Sequence, residues 1–225
     1  MMQALKLKDR PGFHKRSLRI VYRILFFFFH CRLEMPPSLT RKEEPMVYVA
    51  NHYSFFGPVS FVISFPYRMI IWMNEELVTT EERAVAASVP GIREVFPFLG
   101  EKGIRRFSRI LGHFAVKVLT SFDPIPVSRE NASRLLTTMR KSVEVLESGS
   151  DLLIFPETGI PAYSLTSVTP FYPGFASLGK FYHRKTGKIL RFCPCYIDEQ
   201  HHVIRFGEPI AYNPEILNIN EESQR

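Results

Sequence analysis

The stretch Val47-Tyr48-Val49-Ala50-Asn51-His52 most narrows what this chain can fold into, because four successive apolar residues run straight into an asparagine and a histidine. A short run that is apolar at every position reads as a strand buried on both faces, and such strands belong to parallel sheets covered by helices. The residues from Pro58 to Phe65 are apolar nearly throughout and begin at a proline, which suits the first turn of a helix. His52 is therefore expected at a strand-to-helix junction, where side chains face a cleft. The alternative for a lone histidine there is a satisfied core or loop residue.

The same alternation continues down the chain. Arg68–Met73 is a strand candidate, followed by an acidic, alanine-bearing helix over Thr79–Ala87. Pro90–Gly103 is irregular and apolar, with Phe96, Phe98 and Leu99, and is expected to line an entrance or pack beneath it. Ile110–Val118 has helical spacing. Two prolines confine Asp123–Val127 to a short or edge strand, with Arg129 at its exit. Asn131 caps a helix that runs to Ser148 and stops at Gly149. Leu152–Phe155 is a strand opening into Pro156-Glu157-Thr158-Gly159, Pro173–Thr186 is a helix ended by Gly187, and Ile189–Ile197 and Val203–Phe206 are the last strands. The expected fold is α/β, a largely parallel sheet flanked by helices. Ligands of such sheets bind beyond the carboxyl ends of the strands, where His52, Arg129 and Glu157 all fall.

Residues 1–35 have a different character. Lys6, Lys8, Arg10, Lys15, Arg16, Arg19, Arg23 and Arg32 are opposed before Glu34 only by Asp9. On a helix Leu18, Val21, Tyr22, Leu25, Phe28 and Phe29 share one face, while Arg16, Arg19, Arg23 and His30 gather on another. A membrane span needs about twenty apolar residues, and the uninterrupted run Ile24–Phe29 is far shorter. No small-residue cleavage site follows, and Glu34-Met35-Pro36-Pro37 reads as a helix stop. An amphipathic helix lying in a bilayer interface is the expectation, which makes the protein peripheral or monotopic; a helix packed on the protein's own core with a solvated basic face is the alternative. A polar, proline-rich linker from Pro36 to Pro45 leads into a domain over residues 45–213, and residues 214–225 form a polar tail.

Composition limits the partners. A net charge of +7 calls for anionic ones, membrane lipids among them. No helix-turn-helix, zinc-finger or RNA-binding signature accompanies it, so nucleic acid is not an expected partner. Twenty phenylalanines suit apolar walls around an acyl chain, or equally a well-filled core. Cys31, Cys193 and Cys195 make an odd count without a C-x-x-C pair, which fits a reducing compartment. Cys193, Cys195, His201 and His202 lack a familiar ligand spacing, and no metal is expected.

Four blocks, taken together and in order, resemble the glycerolipid acyltransferases, the family of lysophosphatidic acid acyltransferase. Asn51-His52-Tyr53-Ser54 is similar to the start of that family's Asn-His-x-Ser-x-x-Asp motif. Asp123-Pro124-Ile125-Pro126-Val127-Ser128-Arg129 resembles the second block, Ile154-Phe155-Pro156-Glu157-Thr158-Gly159 the third, Phe-Pro-Glu-Gly, and Phe192-Cys193-Pro194-Cys195-Tyr196-Ile197 the fourth. Two departures stand out: Gly57 occupies the place of the motif aspartate, and Thr158 precedes Gly159 where the family usually has glycine first.

The resemblance implies a glycerol-3-phosphate acyltransferase-like fold and transfer of a fatty acyl group from acyl-CoA or acyl carrier protein to a lysophospholipid or glycerol-phosphate hydroxyl. No cofactor beyond that co-substrate is implied. His52 would be the general base and Arg129 would hold the acceptor phosphate; Asn51, Ser54, Glu157, Thr158 and Gly159 would complete the substrate site. The setting implied is the cytoplasmic face of a membrane, in phospholipid biosynthesis. Loss of the aspartate leaves two readings, an enzyme in which another group such as Glu157 supports the imidazole, and a weak or inactive lipid-binding member of the same fold.

Overall fold

The computed structural model describes residues 16–40, 44–52, 56–67, 69–75, 100–106, 123–128, 132–158, 170–216 and 218–224, together with residues 82, 89, 93 and 98. Its frame is an eight-stranded sheet of β1 (Arg32–Glu34), β2 (Val47–Ala50), β3 (Met69–Asn74), β4 (Ile125–Val127), β5 (Asp151–Ile154), β6 (Arg191–Asp198), β7 (Val203–Phe206) and β8 (Ile210–Ala211). The spatial order is β1-β7-β6-β2-β5-β3-β4, with β8 also pairing β6. From β6 through β4 every neighbouring pair is parallel, whereas β7 and β8 run antiparallel to β6. The protein is thus α/β, with a mostly parallel mixed sheet.

Burial on both faces explains why β2 is apolar at every position and β5 at every position after Asp151, whose buried carboxylate accepts the Met46 N–H at 3.0 Å. Val47, Val49, Leu152 and Ile154 join one core, with Met139, Val143 and Leu178. Tyr48, Ala50 and Leu153 point the other way, into a core with Phe61, Phe65, Cys193 and Phe206. Strand side chains alternate between faces, so a continuous apolar run feeds both layers. α1 (Arg16–Phe29), α2 (Pro37–Thr40) and α3 (Phe56–Ser64) precede and follow β2, and α4 (Ala132–Glu147), α5 (Ser177–Thr186) and α6 (Ile219–Glu222) come later in the chain. α1 packs on α3, while α4 and α5 supply Met139, Val143, Leu178 and Tyr182 to the second core.

Most boundaries fall where the residues place them. Gly149 and Gly187 end α4 and α5 with φ of 82° and 71°, left-handed conformations that favour glycine. β4 is short, carries Pro126, and stands at the end of the sheet, where a strand can spare a backbone donor. α3 begins at Phe56, two residues before Pro58, because a proline still within the first turn forfeits no intrahelical hydrogen bond.

The differences lie where the signals are local and short. Arg32–Glu34, at the end of the basic segment, is an edge strand beside β7, and the linker contains α2. Near the C-terminus Asn218 caps α6 by accepting the Asn220 N–H at 3.0 Å, and the buried Glu222 carboxylate accepts the Asn213 N–H at 3.0 Å. The helix expected over Thr79–Ala87 lies outside the described residues except at residue 82, and that over Ile110–Val118 lies wholly outside them.

α1 is docked on the domain by its own stripe. The Tyr22 hydroxyl donates to Ile63 O at 3.2 Å, the Phe29 ring lies 5.6 Å from Phe56, and just beyond the helix the Cys31 N–H donates to Ser64 Oγ at 2.8 Å. Phe28, expected to share a face with Tyr22 and Phe29, is 60% exposed, and Phe27 is 81% exposed. Residues 22 and 29 lie two turns apart on one side, and position 28 is rotated about 100° from 29. No helix among the described residues is long and apolar enough to cross a membrane.

Candidate functional site

The parallel strands deliver their carboxyl ends to one edge of the sheet. Ala50 pairs with Cys195, Val49 with Ile154, and Asn74 with Val127, so β2, β5, β3, β4 and β6 all end there. His52 stands two residues beyond β2, and Glu157 three residues beyond β5. Of the residues expected at the site, Asn51, His52, Glu157 and Thr158 can be placed; Ser54, Arg129 and Gly159 lie outside the described residues. Arg129 follows the last residue of β4 by two positions.

Asn51 is a structural bracket between two strands. Its amide nitrogen donates to Ile197 O at 3.1 Å and its Oδ1 accepts the Ile197 N–H at 2.6 Å. The side chain thereby extends the β2–β6 ladder by one step past Ala50 and determines where the backbone leaves the sheet. Both ends of a buried amide are engaged with backbone, so Asn51 sets the position of the next residue, His52.

His52 is half-buried, with its Nδ1 side inward and its ring edge-on to Phe155 at 5.5 Å. Its backbone N–H donates to Glu157 Oε2 at 2.9 Å, a charge-assisted bond. Glu157 is buried, 3% exposed, and is itself held by a small antiparallel pairing. The Thr158 N–H donates to Pro170 O and the Tyr172 N–H to Pro156 O, each at 2.9 Å. Thr158 therefore spends its backbone donor on the pairing that joins 156–158 to 170–172.

Gly57 takes its place within the first turn of α3, against the peptide that carries His52. A Cβ at this position would stand 2.1 Å from His52 O, 2.8 Å from its carbonyl carbon and 3.2 Å from Asn51 O. Sequence reading marked the position for what it lacks, and the close approach that requires glycine there has no signal in the chain before the helix is placed against the turn.

Other features lie apart from this centre. Cys193 and Cys195 are buried on one face of β6, whereas His201 and His202 are in the exposed β6–β7 turn. His201 Nδ1 lies 2.9 Å from Asp198, which also receives Arg205 at 2.8 Å. Among the described residues no group of three or more histidine, cysteine or acidic side chains is placed to hold a metal ion.

No protein-family model matches the chain, and no curated protein matches it. Among solved structures it is similar to the 1-acyl-sn-glycerophosphate (LPA) acyltransferase PlsC from Thermotoga maritima, with 14% sequence identity, coverage of 95% of this chain and 80% of that chain, and a TM-score of 0.48.

Proposed function

We propose that the protein is an acyltransferase that moves a fatty acyl group from a thioester to the hydroxyl of a lysophospholipid or glycerol phosphate, with His52 as general base. The observation that carries the reading is the placement of His52 at the carboxyl edge of the parallel sheet, its peptide tied to the buried Glu157 carboxylate. At that edge β4 leads into Arg129, to which we assign the acceptor's phosphate.

In the proposed step the inward Nδ1 leaves Nε2 to take the acceptor's proton. Neutral imidazole suits this near pH 7. The hydroxyl oxygen attacks the thioester carbonyl carbon, forming the ester C–O bond as the C–S bond breaks, and the imidazolium returns the proton to the departing thiolate. No covalent enzyme intermediate is needed. The Thr158 N–H is already engaged by Pro170 O, so the peptide groups at the start of α3, beside His52, are the better donors to the transient oxyanion. We assign Ser54, Thr158 and Gly159 to binding of the acceptor, with acyl-CoA or acyl carrier protein as co-substrate and no further cofactor.

A membrane setting supplies the acceptor. Phe26, Phe27 and Phe28 are exposed on α1, beside the exposed Arg23. Exposed aromatics with basic neighbours suit the headgroup region of an anionic bilayer, and we place the protein at the cytoplasmic face of a membrane as a peripheral or monotopic enzyme of phospholipid synthesis. The test is transfer of labelled acyl groups from acyl-CoA, and separately from acyl carrier protein, onto lysophospholipids and glycerol phosphate in vesicles. Labelled diacyl product, or acylated glycerol phosphate, is the expected result. Folded, vesicle-bound protein that transfers nothing with any pair would overturn the reading and leave a lipid-binding member of the fold.

A further inference from the structure

A histidine that acts as base has to be aimed, and carboxylates hydrogen-bonded to the ring are the usual means. Position 57 offers no room for one here. The atoms that a Gly57 side chain would strike belong to the backbone of His52 and Asn51, so rotation of a side chain does not relieve the contact. On the other side of the same residue, the His52 N–H is held by Glu157 Oε2. The peptide groups flanking the His52 Cα are therefore both fixed, one by the first turn of α3 seated against the carbonyl, the other by a buried carboxylate.

We propose that this backbone clamp is what aims the His52 imidazole, making Gly57 and Glu157 positioning residues that act through the His52 main chain. The inference rests on the reading of His52 as the base. Three further contacts support the clamp from outside. Asn51 fixes the preceding residue to Ile197, the 156–158 and 170–172 segments hold Glu157 in place, and Phe29 of α1 backs Phe56, the residue before Gly57. With the peptide fixed on both sides, the ring direction is set by χ1 and by the edge-on Phe155.

The clamp separates two roles that Glu157 could play. An amide oxygen accepts an N–H as a carboxylate does, so Glu157→Gln keeps the clamp, whereas Glu157→Ala removes it. A Glu157 acting by charge on the imidazole or on the acceptor would lose its function in both variants. The experiment measures kcat and KM for acyl transfer in wild type, Glu157→Gln, Glu157→Ala and Gly57→Ala, alongside amide hydrogen exchange at His52. Glu157→Ala is expected to lower kcat by tenfold or more with little change in KM, and to speed His52 exchange by about tenfold or more, the scale of one lost hydrogen bond. Glu157→Gln is expected to recover most of both losses. Gly57→Ala, which pushes the His52 carbonyl from its seat, is expected to lower kcat while leaving the Glu157 bond in place.

Equal loss in Glu157→Gln and Glu157→Ala would overturn the proposal, as would unchanged His52 exchange in Glu157→Ala or full activity in Gly57→Ala. Exchange reads the clamp without turnover. A wild type that transfers no acyl group would sink the proposed reaction while the exchange data still decide whether the clamp exists.

Discussion

Replacing Asn51 by alanine should cost stability before it costs chemistry. The side chain makes two hydrogen bonds, at 3.1 and 2.6 Å, to the carbonyl and N–H of Ile197. Both partners lie in the sheet, and Asn51 is 7% exposed. Truncation leaves a buried donor and a buried acceptor without their partner, at about 1–3 kcal/mol each, so the expected loss is roughly 2–6 kcal/mol. That is a large share of a typical total of about 5–15 kcal/mol. With a urea m-value of about 3 kcal/mol/M, the midpoint should fall by roughly 0.7–2 M with the slope unchanged.

Asn51→Asp adds a sign to the test. The carboxylate still accepts the Ile197 N–H but faces the Ile197 carbonyl without a proton to donate. Burial and that carbonyl raise the folded-state pKa of the introduced carboxyl above its unfolded value of about 4. Its deficit relative to wild type is then smallest below that unfolded value and grows as pH rises through the folded one. Chemical unfolding at several pH values reads both effects. A midpoint for Asn51→Ala within about 0.3 M of wild type would refute the bracket, as would an Asn51→Asp deficit that shrinks as pH rises.

Two further perturbations probe other parts of the molecule. Phe27→Ser combined with Phe28→Ser should weaken flotation with anionic vesicles at least tenfold while leaving the melting temperature within about 2 °C, because neither ring is buried; unchanged flotation would remove α1 from the membrane contact. The Arg205 guanidinium beside Asp198 holds its carboxyl down at about 2, from an ordinary 3.8. A lowered folded-state value stabilises above the unfolded value and is lost as pH falls from about 4 towards 2. Asp198→Asn should flatten the stability curve in that window; an unaltered curve would show that the pair contributes nothing.

How far the residues announce this architecture depends on how local the signal is. The apolar runs Val47–Ala50 of β2 and Leu152–Ile154 of β5 are visible in the chain because burial on two faces leaves a mark at each of those positions. Gly149 and Gly187 are visible because a left-handed backbone selects glycine. β1 and β8 have only three and two residues and owe their pairing to β7 and β6, so no periodicity within them can show it. α1 has an amphipathic signal, but the face that meets α3 is chosen by Tyr22, Phe29 and their partners on another helix.

The site divides in the same way. That His52 and Glu157 share one edge follows from reading each as the sequel of a buried strand. What they do to each other does not follow, because the contact joins a side chain to a main-chain N–H across 105 residues. Gly57 is the sharpest case. As a letter in the chain it stands where the resemblance would put a carboxylate, while in the fold its missing Cβ is what lets α3 close on the His52 carbonyl.

The most direct test of the central claim compares His52→Ala with wild type on whichever thioester and acceptor pair the protein turns over, under conditions where both are shown to be folded. Loss of the proposed general base should lower kcat by roughly 10²–10⁴-fold. A variant that keeps kcat within about threefold of wild type would contradict the account, and would move the chemistry of this protein away from the β2–α3 turn.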